Sequence, residues 1–222
     1  GTVFTERSVL DEVGDDEADF NIQRLGLWLQ YNQKSEISET EWDELKCDRL
    51  PEFQKSVYVG IKYGQDGTNV AMSVAVKTAD KKIFVETIDC QSVRNGSRWI
   101  VEYLKCMAPA RIVIDGANGQ KLLADELKRR KIKGIVLPTV KEVIVANTSF
   151  ESGLFTGSIC HMGQPSVKQA ASNCEKRAIG SNGGFGYRSQ KEGVEIAILD
   201  SIILAHWACS KSRERRKQKI SY

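Results

Sequence analysis

The sequence of 222 residues contains no apolar run of the roughly 18–20 residues that a membrane-spanning helix needs. Its N-terminal segment lacks the basic start and the apolar stretch of a signal peptide, so we expect a cytoplasmic protein. No internal repeat or low-complexity segment occurs. Hydrophobic residues make up 41% and charged residues 27% of the chain, which excludes disorder throughout and indicates a globular protein of one large domain, or one domain with an appendage.

The sequence also lacks cysteines and histidines at the spacing typical of a zinc site. The six cysteines form no C-x-x-C pair, and the two histidines, His161 and His206, do not complete a four-ligand set with them. The cysteines are Cys47, Cys90, Cys106, Cys160, Cys174 and Cys209. Most of them lie in apolar segments, which predicts reduced, buried thiols in a reducing compartment.

The net charge of +3 averages two unlike parts of the chain. Residues 1–52 carry 14 acidic and 5 basic side chains, whereas residues 53–222 carry 15 acidic and 27 basic ones. The basic part favours a polyanionic partner, and the acidic part would border or shield it. Two solvated faces explain the same counts equally well, so charge alone does not decide.

The hydrophobic pattern predicts a lead-in followed by one α/β body that begins at about residue 55. The lead-in comprises an irregular acidic stretch at 1–20, a helix at 21–33 that docks on the body, and a short capped helix at 38–45. The body opens with three successive strands on short turns, which form an antiparallel meander. These strands are 56–64, 68–79 and 83–90.

Beyond residue 90 the pattern alternates between helices and strands. Helices are predicted at 91–107, 117–131, 140–156 and 192–211, strands at 111–115 and 132–139, and short strands within the Gly-rich stretch 159–190. Strand–helix–strand units imply parallel pairing through right-handed crossovers. The element order therefore predicts a ribonuclease H-like α/β fold, with a mixed five-stranded sheet of three antiparallel and two parallel strands, flanked by helices.

Two aspartates are the leading candidates for chemistry. Asp115 ends the apolar strand RIVID, and functional groups gather at the carboxyl ends of the central strands in such a sheet. Asp200 interrupts the apolar helix VEIAILDSIILAHWA. A buried carboxylate is costly unless a cation or hydrogen bonds balance it. The alternatives are a helix cap for Asp115, and a buried ion pair with a base for Asp200.

Two carboxylates that converge from separate elements suit Mg²⁺ or Mn²⁺. Two such ions about 4 Å apart can activate a water and stabilise the leaving oxygen in phosphodiester cleavage. A third carboxylate is normally supplied by the first strand. Here that strand reads YVGIKYG, so the position is Lys62, and the nearest acid is Asp66 in the following turn.

The chain resembles the nuclease domain of the large terminase subunit of tailed phages or prophages, part of the DNA-packaging motor. The resemblance lies in NIQRLGLWLQ, EWDELKCD, VYVGIKYGQDGTNVAMSVAV, RIVIDGANGQKLLADEL, GSICHMGQPSVKQAASN and ILDSIILAHWA, which span most of residues 20–210. It implies a ribonuclease H-like fold and a metal-dependent endonuclease that cuts concatemeric viral DNA when packaging starts and ends.

The resemblance also implies roles for single residues. Asp115 resembles the fourth-strand metal ligand, Asp200 the ligand on the closing helix, and Asp66 the loop acid beside two Mg²⁺ or Mn²⁺ ions, and all three would be catalytic. Lys62 departs from the family, which has an aspartate there. Its ammonium would lie within reach of Asp115 and Asp200 and oppose a cation through charge repulsion. We therefore expect weakened metal binding and cleavage, or metal binding shifted toward Asp66.

The resemblance suggests a piece of a longer chain. The full motor has an ATPase domain, and no phosphate-binding loop G-x-x-x-x-G-K-[S/T] occurs here. The leading glycine is typical of an expression scar. We expect residues 1–54 to be an acidic lead-in or linker from an absent ATPase domain, 55–211 the nuclease domain and 212–222 a basic tail. The expected partners are double-stranded DNA, the ATPase domain, the portal protein and the small terminase subunit, in the host-cell cytoplasm and away from membranes.

Contact with DNA is predicted for basic residues in and beside the Gly-rich stretch. Arg177, Arg188 and Lys191 are placed to reach phosphates from a flexible loop. The basic tail could bind DNA, a portal protein or nothing. His161 resembles a family position, but a structural role is the favoured interpretation.

Three other functions remain open. An actin-like or sugar-kinase-like ATPase has a strand–turn–strand phosphate loop similar to VGIKYGQDGTN, but it needs a second half of similar size. A non-catalytic DNA-binding or assembly module on the same fold is favoured by Lys62. Another nuclease of the fold, such as a resolvase or transposase, would share the metal chemistry.

Overall fold

The computed structural model of the protein describes residues 35–181 and 183–212. The chain divides into two units, Gly1–Lys34 and Ser35–Tyr222. The acidic stretch at 1–20 and the helix predicted at 21–33 lie outside the described residues, as does the tail beyond residue 212. The second unit begins at Ser35, ahead of the body boundary that the sequence predicts near residue 55.

The second unit is built on a six-stranded mixed sheet in the order β5-β4-β1-β2-β3-β6. Its strands are β1 (Phe53–Tyr63), β2 (Asn69–Thr78), β3 (Ile83–Ser92), β4 (Arg111–Asp115), β5 (Ile135–Val136) and β6 (Ile159–Cys160). The meander β1–β2–β3 is antiparallel, whereas β4 on β1, β5 on β4 and β6 on β3 are parallel. A separate antiparallel hairpin consists of β7 (Cys174–Ile179) and β8 (Gly184–Ser189).

The predicted fold class is confirmed, with one additional strand at the sheet edge. The sequence predicts a five-stranded sheet and, apart from it, short strands within 159–190. The sixth strand of the sheet, β6, lies in that stretch, and its two residues are too few for a hydrophobic period to assign it to the sheet. The fifth strand is shorter than predicted. Of residues 132–139, only Ile135 and Val136 pair with β4.

Helices cover both faces of the sheet. In the described part of the chain they are α1 (Glu39–Asp43), α2 (Arg98–Met107), α3 (Gln120–Arg129), α4 (Val140–Phe155), α5 (Pro165–Ala171) and α6 (Ile196–Ser210). Two of them, α1 and α4, begin at capping boxes. The hydroxyls of Ser38 and Thr139 each accept a hydrogen bond from the backbone N–H of a glutamate three residues later, and the carboxylate of that glutamate accepts one from the backbone N–H of the Ser or Thr. No helix in the described part has the length and apolar character needed to cross a membrane.

The alternation along β1 assigns its side chains to two cores. Val59 and Ile61 pack with α2 and α3 on one face, and Tyr58 packs with α4, α5 and α6 on the other. The second core also takes up Ile37 and Trp42 from the segment around α1. This segment is therefore part of the same compact unit as the sheet.

Gly60 allows α6 to lie directly on β1. A Cβ at this position would overlap the backbone carbonyl oxygen of Ser201 and would lie 2.5 Å from the backbone nitrogen of Ala205. Only glycine lacks a Cβ, so the residue type sets how closely strand and helix approach. The close approach brings Asp200, the neighbour of Ser201, to the carboxyl ends of the central strands.

Candidate functional site

Lys62 and Asp115 come together because their strands pair in register. β1 and β4 are parallel, and Lys62 is the register partner of Asp115. Side chains of paired residues leave the sheet on the same face, here the α6 face that Tyr58 and Val113 share. The ammonium nitrogen of Lys62 lies 2.5 Å from Oδ2 of Asp115 and donates a hydrogen bond to it.

Asp200 reaches the same point from α6. Its Oδ2 lies 3.5 Å from Nζ of Lys62, so one ammonium contacts two carboxylates. Lys62 is 8% exposed, and the side chains of Asp115 and Asp200 are 19% and 12% exposed. The three residues form a nearly buried ion cluster, and the proximity expected for Lys62 is confirmed.

Burial and charge act in opposite directions in this cluster. Burial lowers the pKa of Lys62, but the carboxylates of Asp200 and Asp115 raise it by more, so the pKa lies above its usual value. Burial raises the pKa of Asp200, and the charges of Lys62 and Arg177 only partly offset that rise. Lys62 is therefore protonated and holds a positive charge between two acids.

The donor set of the cluster does not fit a divalent cation as it stands. A protonated lysine offers three N–H donors and no lone pair for a metal. Its ammonium lies between Asp115 and Asp200, the two carboxylates predicted as ligands. Across residues 35–181 and 183–212, no group of three or more His, Cys, Asp or Glu side chains is placed to hold a metal ion.

Asp66 is not brought into the cluster. It is exposed on the turn between β1 and β2, where its carboxylate accepts hydrogen bonds from the backbone N–H of Thr68 at 3.0 Å and from the Thr68 hydroxyl at 2.7 Å. These bonds lower the pKa of Asp66. The structure therefore gives Asp66 a role in its own turn, and its metal role stays a prediction.

Arg177 brings a second cation toward the cluster from β7. Its charge lowers the pKa of Asp200, against the effect of burial. Its Nε donates to the backbone carbonyl of Tyr187 at 3.2 Å. With the Gln65 amide turned so that its oxygen faces the guanidinium, Nη2 of Arg177 donates to that oxygen at 2.8 Å. Arg177 thus links the β7–β8 hairpin to the β1–β2 turn beside the acidic cluster.

The other two predicted DNA contacts belong to the same hairpin. Arg188 lies on β8 and its Nε pairs with Oε1 of Glu175 at 2.6 Å, across the strand register. Lys191 follows β8 and is exposed. Contact with DNA stays a prediction for Arg177, Arg188 and Lys191.

A buried hydroxyl chain beside Asp200 is not identified from the sequence. The Ser201 hydroxyl donates to the carbonyl of Ile198 at 2.8 Å and pairs with the Ser73 hydroxyl at 2.6 Å, which in turn pairs with that of Thr87 at 3.0 Å. Because the Ser201 hydroxyl donates its proton to the Ile198 carbonyl, the Ser73 hydroxyl donates to Ser201, and the Thr87 hydroxyl donates to Ser73. In the sequence, Ser73 and Ser201 are each a single serine within an apolar segment, and this pattern does not indicate that the two side chains pair.

His161 has the structural role favoured from the sequence. It is 3% exposed and stacks on Trp42 with ring centroids 4.3 Å apart. Its Nδ1 accepts from the backbone N–H of Gly163 at 2.9 Å, so Nε2 carries the proton and donates to the carbonyl of Trp42 at 2.9 Å. Burial lowers the pKa of His161, which keeps the ring neutral.

No protein-family model and no curated protein sequence matches the chain. Several solved structures are similar to it in fold. The large terminase of bacteriophage HK97 superposes with a TM-score of 0.60 at 16% identity, over 78% of this chain and 43% of that one. The large terminase nuclease of thermophilic phage G20c superposes with a TM-score of 0.53 at 16% identity, over 80% of this chain and all of that one.

The chain has the fold of a large terminase nuclease domain. It spans less than half of the HK97 large terminase and the full length of the G20c nuclease. The G20c nuclease was also solved with bound magnesium and with bound cobalt, and these structures superpose with TM-scores of 0.54 and 0.52. At identities of 15–17% these similarities establish the shared fold.

Proposed function

We propose that this chain is the nuclease domain of a large terminase subunit, that it acts on double-stranded DNA, and that Lys62 weakens its metal-dependent cleavage. In the full protein the domain would cut concatemeric viral DNA during packaging. The observation that carries the proposal is the convergence of Asp115 and Asp200 on one face of a sheet with the terminase nuclease fold.

The proposed weakening follows from the charge in the cluster. Lys62 supplies a fixed positive charge to two acids whose charges would otherwise attract a cation, and repulsion between the ammonium and an incoming ion opposes binding. Replacing Lys62 by Asp would remove the repulsion and supply a third carboxylate. Hard oxygen ligands of this kind suit Mg²⁺ or Mn²⁺. The two-ion chemistry expected from the resemblance is therefore proposed for Lys62→Asp rather than for the chain as it stands.

A second candidate function is a non-catalytic DNA-binding or assembly module. The same ion cluster favours it, because Lys62 supplies a counter-charge to Asp115 and Asp200 without a metal. The basic side chain of Arg177 beside the cluster would then attract a phosphate without cleavage. Both candidates include binding of double-stranded DNA.

The remaining partners come from the family resemblance alone. We propose an ATPase domain in the same full-length chain, and the portal protein and small terminase subunit as assembly partners. The host-cell cytoplasm is the proposed location.

Plasmid nicking with and without Lys62 tests the proposal. Supercoiled plasmid is incubated with Mn²⁺ and no ATP, using the unchanged chain, Lys62→Asp, and Lys62→Asp combined with Asp115→Asn. We expect Lys62→Asp to nick about 10²-fold faster than the unchanged chain, comparable to the gain from one well-placed electrostatic group. The added Asp115→Asn should abolish the gain. Lys121→Asp, an exposed site on α3, is the control for the change in net charge.

The outcomes separate the two candidates. Equal nicking by the unchanged chain and Lys62→Asp contradicts the role of Lys62. No nicking by either one, together with DNA binding measured by fluorescence anisotropy, contradicts the nuclease proposal for this chain and supports the binding module. Circular dichroism of each variant confirms that the fold is retained.

A further inference from the structure

A second pocket lies at the same end of β1 as the ion cluster, but on the opposite face of the sheet. Lys62 and Tyr63 are consecutive on β1, so their side chains leave the sheet on opposite faces. Tyr63 lines a pocket of about 290 Å³ between α3, the start of β2 and the segment that follows β3. This volume is close to the lower end of the roughly 300–1,000 Å³ that ligand pockets occupy.

The lining of this pocket is largely apolar and open to solvent. Val70, the register partner of Tyr63, and Val93 contribute to it from the sheet side. Leu122 lines it from α3 and is 77% exposed. Gly119 lets the ring of Tyr63 lie directly against the start of α3, since a Cβ there would be 2.3 Å from Cε1 of that ring. The pocket can therefore take up an apolar or aromatic group from solvent.

Tyr63 adds a polar group that has no partner. The residue is 6% exposed, and its hydroxyl makes no hydrogen bond with any residue that the structure describes. The described residues do not enclose this oxygen completely, so a ligand can reach it. Burial and the charge of Glu126 raise the pKa of Tyr63, which keeps the hydroxyl protonated and able to donate. Since buried hydroxyls are normally paired, this one points to an acceptor on a ligand.

The charges around the pocket favour an anion. The carboxylate of Glu126 already accepts hydrogen bonds from the Ser97 hydroxyl at 2.5 Å and from Nη2 of Arg130 at 2.9 Å. Arg129 lines the pocket and is exposed, and it has no ion pair within the described part of the chain. The same holds for Arg94, in the segment after β3. Two guanidinium groups are therefore free to bind phosphates.

We propose that this pocket binds one unstacked nucleotide of single-stranded DNA. The base would lie against the apolar lining and accept a hydrogen bond from the Tyr63 hydroxyl, while Arg129 and Arg94 contact the flanking phosphates. The inference rests on the proposed function for the choice of DNA as the polyanion. Because the pocket and Lys62 share one end of β1, a displaced strand that leaves the ion cluster can continue into the pocket.

Anisotropy titration with a fluorescent single-stranded oligothymidylate, in the absence of a metal, tests the inference. Thymine offers carbonyl acceptors, and a matched abasic oligomer keeps the phosphates but has no bases. We expect Tyr63→Phe to weaken binding of the oligothymidylate roughly 2- to 10-fold, the value of one hydrogen bond, and to leave the abasic oligomer unaffected. Since the hydroxyl has no partner in the folded chain, Tyr63→Phe should keep its Tm.

Two further variants, each with a matched control, test the apolar lining and the phosphate contact. Leu122→Glu should weaken binding at least as much as Tyr63→Phe, whereas Met107→Glu, at an exposed residue that ends α2, should weaken it less. Arg129→Gln should reduce the slope of log K against log salt by about 0.7, which corresponds to one phosphate of a single strand. Lys105→Gln, at an exposed lysine in the last turn of α2, should leave that slope unchanged.

Three results would overturn the inference. The first is equal affinity, or no affinity, for the oligothymidylate and the abasic oligomer. The second is the same loss of both ligands in Tyr63→Phe. The third is displacement of the oligothymidylate by polyglutamate of equal charge as effectively as by unlabelled oligothymidylate, which would assign the pocket to an acidic protein. Because the assay measures binding without cleavage, a failure to nick plasmid leaves it intact, and nicking without these losses removes only the pocket.

Discussion

Removing the charge of Lys62 should destabilise the protein more than removing the charge of an exposed lysine. In Lys62→Met the side chain keeps a similar length but leaves Asp115 and Asp200 without their shared cation. All three side chains are less than one-fifth exposed, so solvent screens the ion pairs only weakly. Breaking a buried pair by removing one partner costs about 3–5 kcal/mol. For a chain of this size, that corresponds to a fall in Tm of about 6–20 °C.

The pH dependence of that loss checks its electrostatic origin. Burial already raises the pKa of Asp200, and without Lys62 the pKa should rise further. The unfolded carboxyl titrates near 3.9, so above that pH the folded Lys62→Met variant binds more protons than the unfolded chain. Its stability should therefore increase as the pH falls from 7 toward 4, through protonation of Asp200.

Urea unfolding at pH 7 and pH 5 measures both effects. Lys121→Met, an exposed lysine on α3, is the control and should change the unfolding free energy by less than about 0.5 kcal/mol. Adding Asp200→Asn to Lys62→Met should recover part of the loss, since it removes one of the two unpaired charges. A loss below about 1 kcal/mol at pH 7, or a loss that does not shrink at pH 5, would refute the argument.

Three further predictions concern the surroundings of the cluster. Gly60→Ala should cost about 1–3 kcal/mol or more, because its Cβ meets the α6 backbone, whereas Gly186→Ala has an ordinary contact at 3.5 Å and should be mild; urea unfolding compares them. Burial lowers the pKa of His206 to about 4, so the unfolded chain binds the proton first as the pH falls. Stability should decline by up to about 3 kcal/mol between pH 6.5 and 4, and calorimetry should find this loss missing in His206→Leu. Arg177→Gln should weaken DNA binding and lower its salt dependence, as measured by anisotropy titrations at two salt concentrations.

The sheet and its helices follow largely from local sequence patterns. The meander is predicted because β1, β2 and β3 are long and joined by short turns, and α6 because its apolar run exceeds the length of any strand. The two-residue strand β6 lies in the stretch 159–190 where short strands are predicted, but its place at the edge of the main sheet is set by its pairing with β3 and not by its own pattern.

The candidate site was predicted in part. A carboxylate at the end of an apolar strand and another within an apolar helix single out Asp115 and Asp200, because burial makes an acid costly without a partner. Their partner Lys62 was expected nearby from the family resemblance and not from the pattern of its own strand, and strand register places it beside Asp115. For Asp66, sequence proximity to β1 suggested the cluster, but local hydrogen bonds to Thr68 hold its carboxylate on the turn.

Three features can be read from the sequence without a structure: the order of most elements, the division into an acidic and a basic part, and a lysine where the resemblance expects an acid. Those features depend on residue type and local period. The distances from the Lys62 ammonium to Asp115 and Asp200 are known only from the folded chain. Such contacts depend on strand register and on the approach of α6 over Gly60, which bring residues far apart in the chain within a few ångströms.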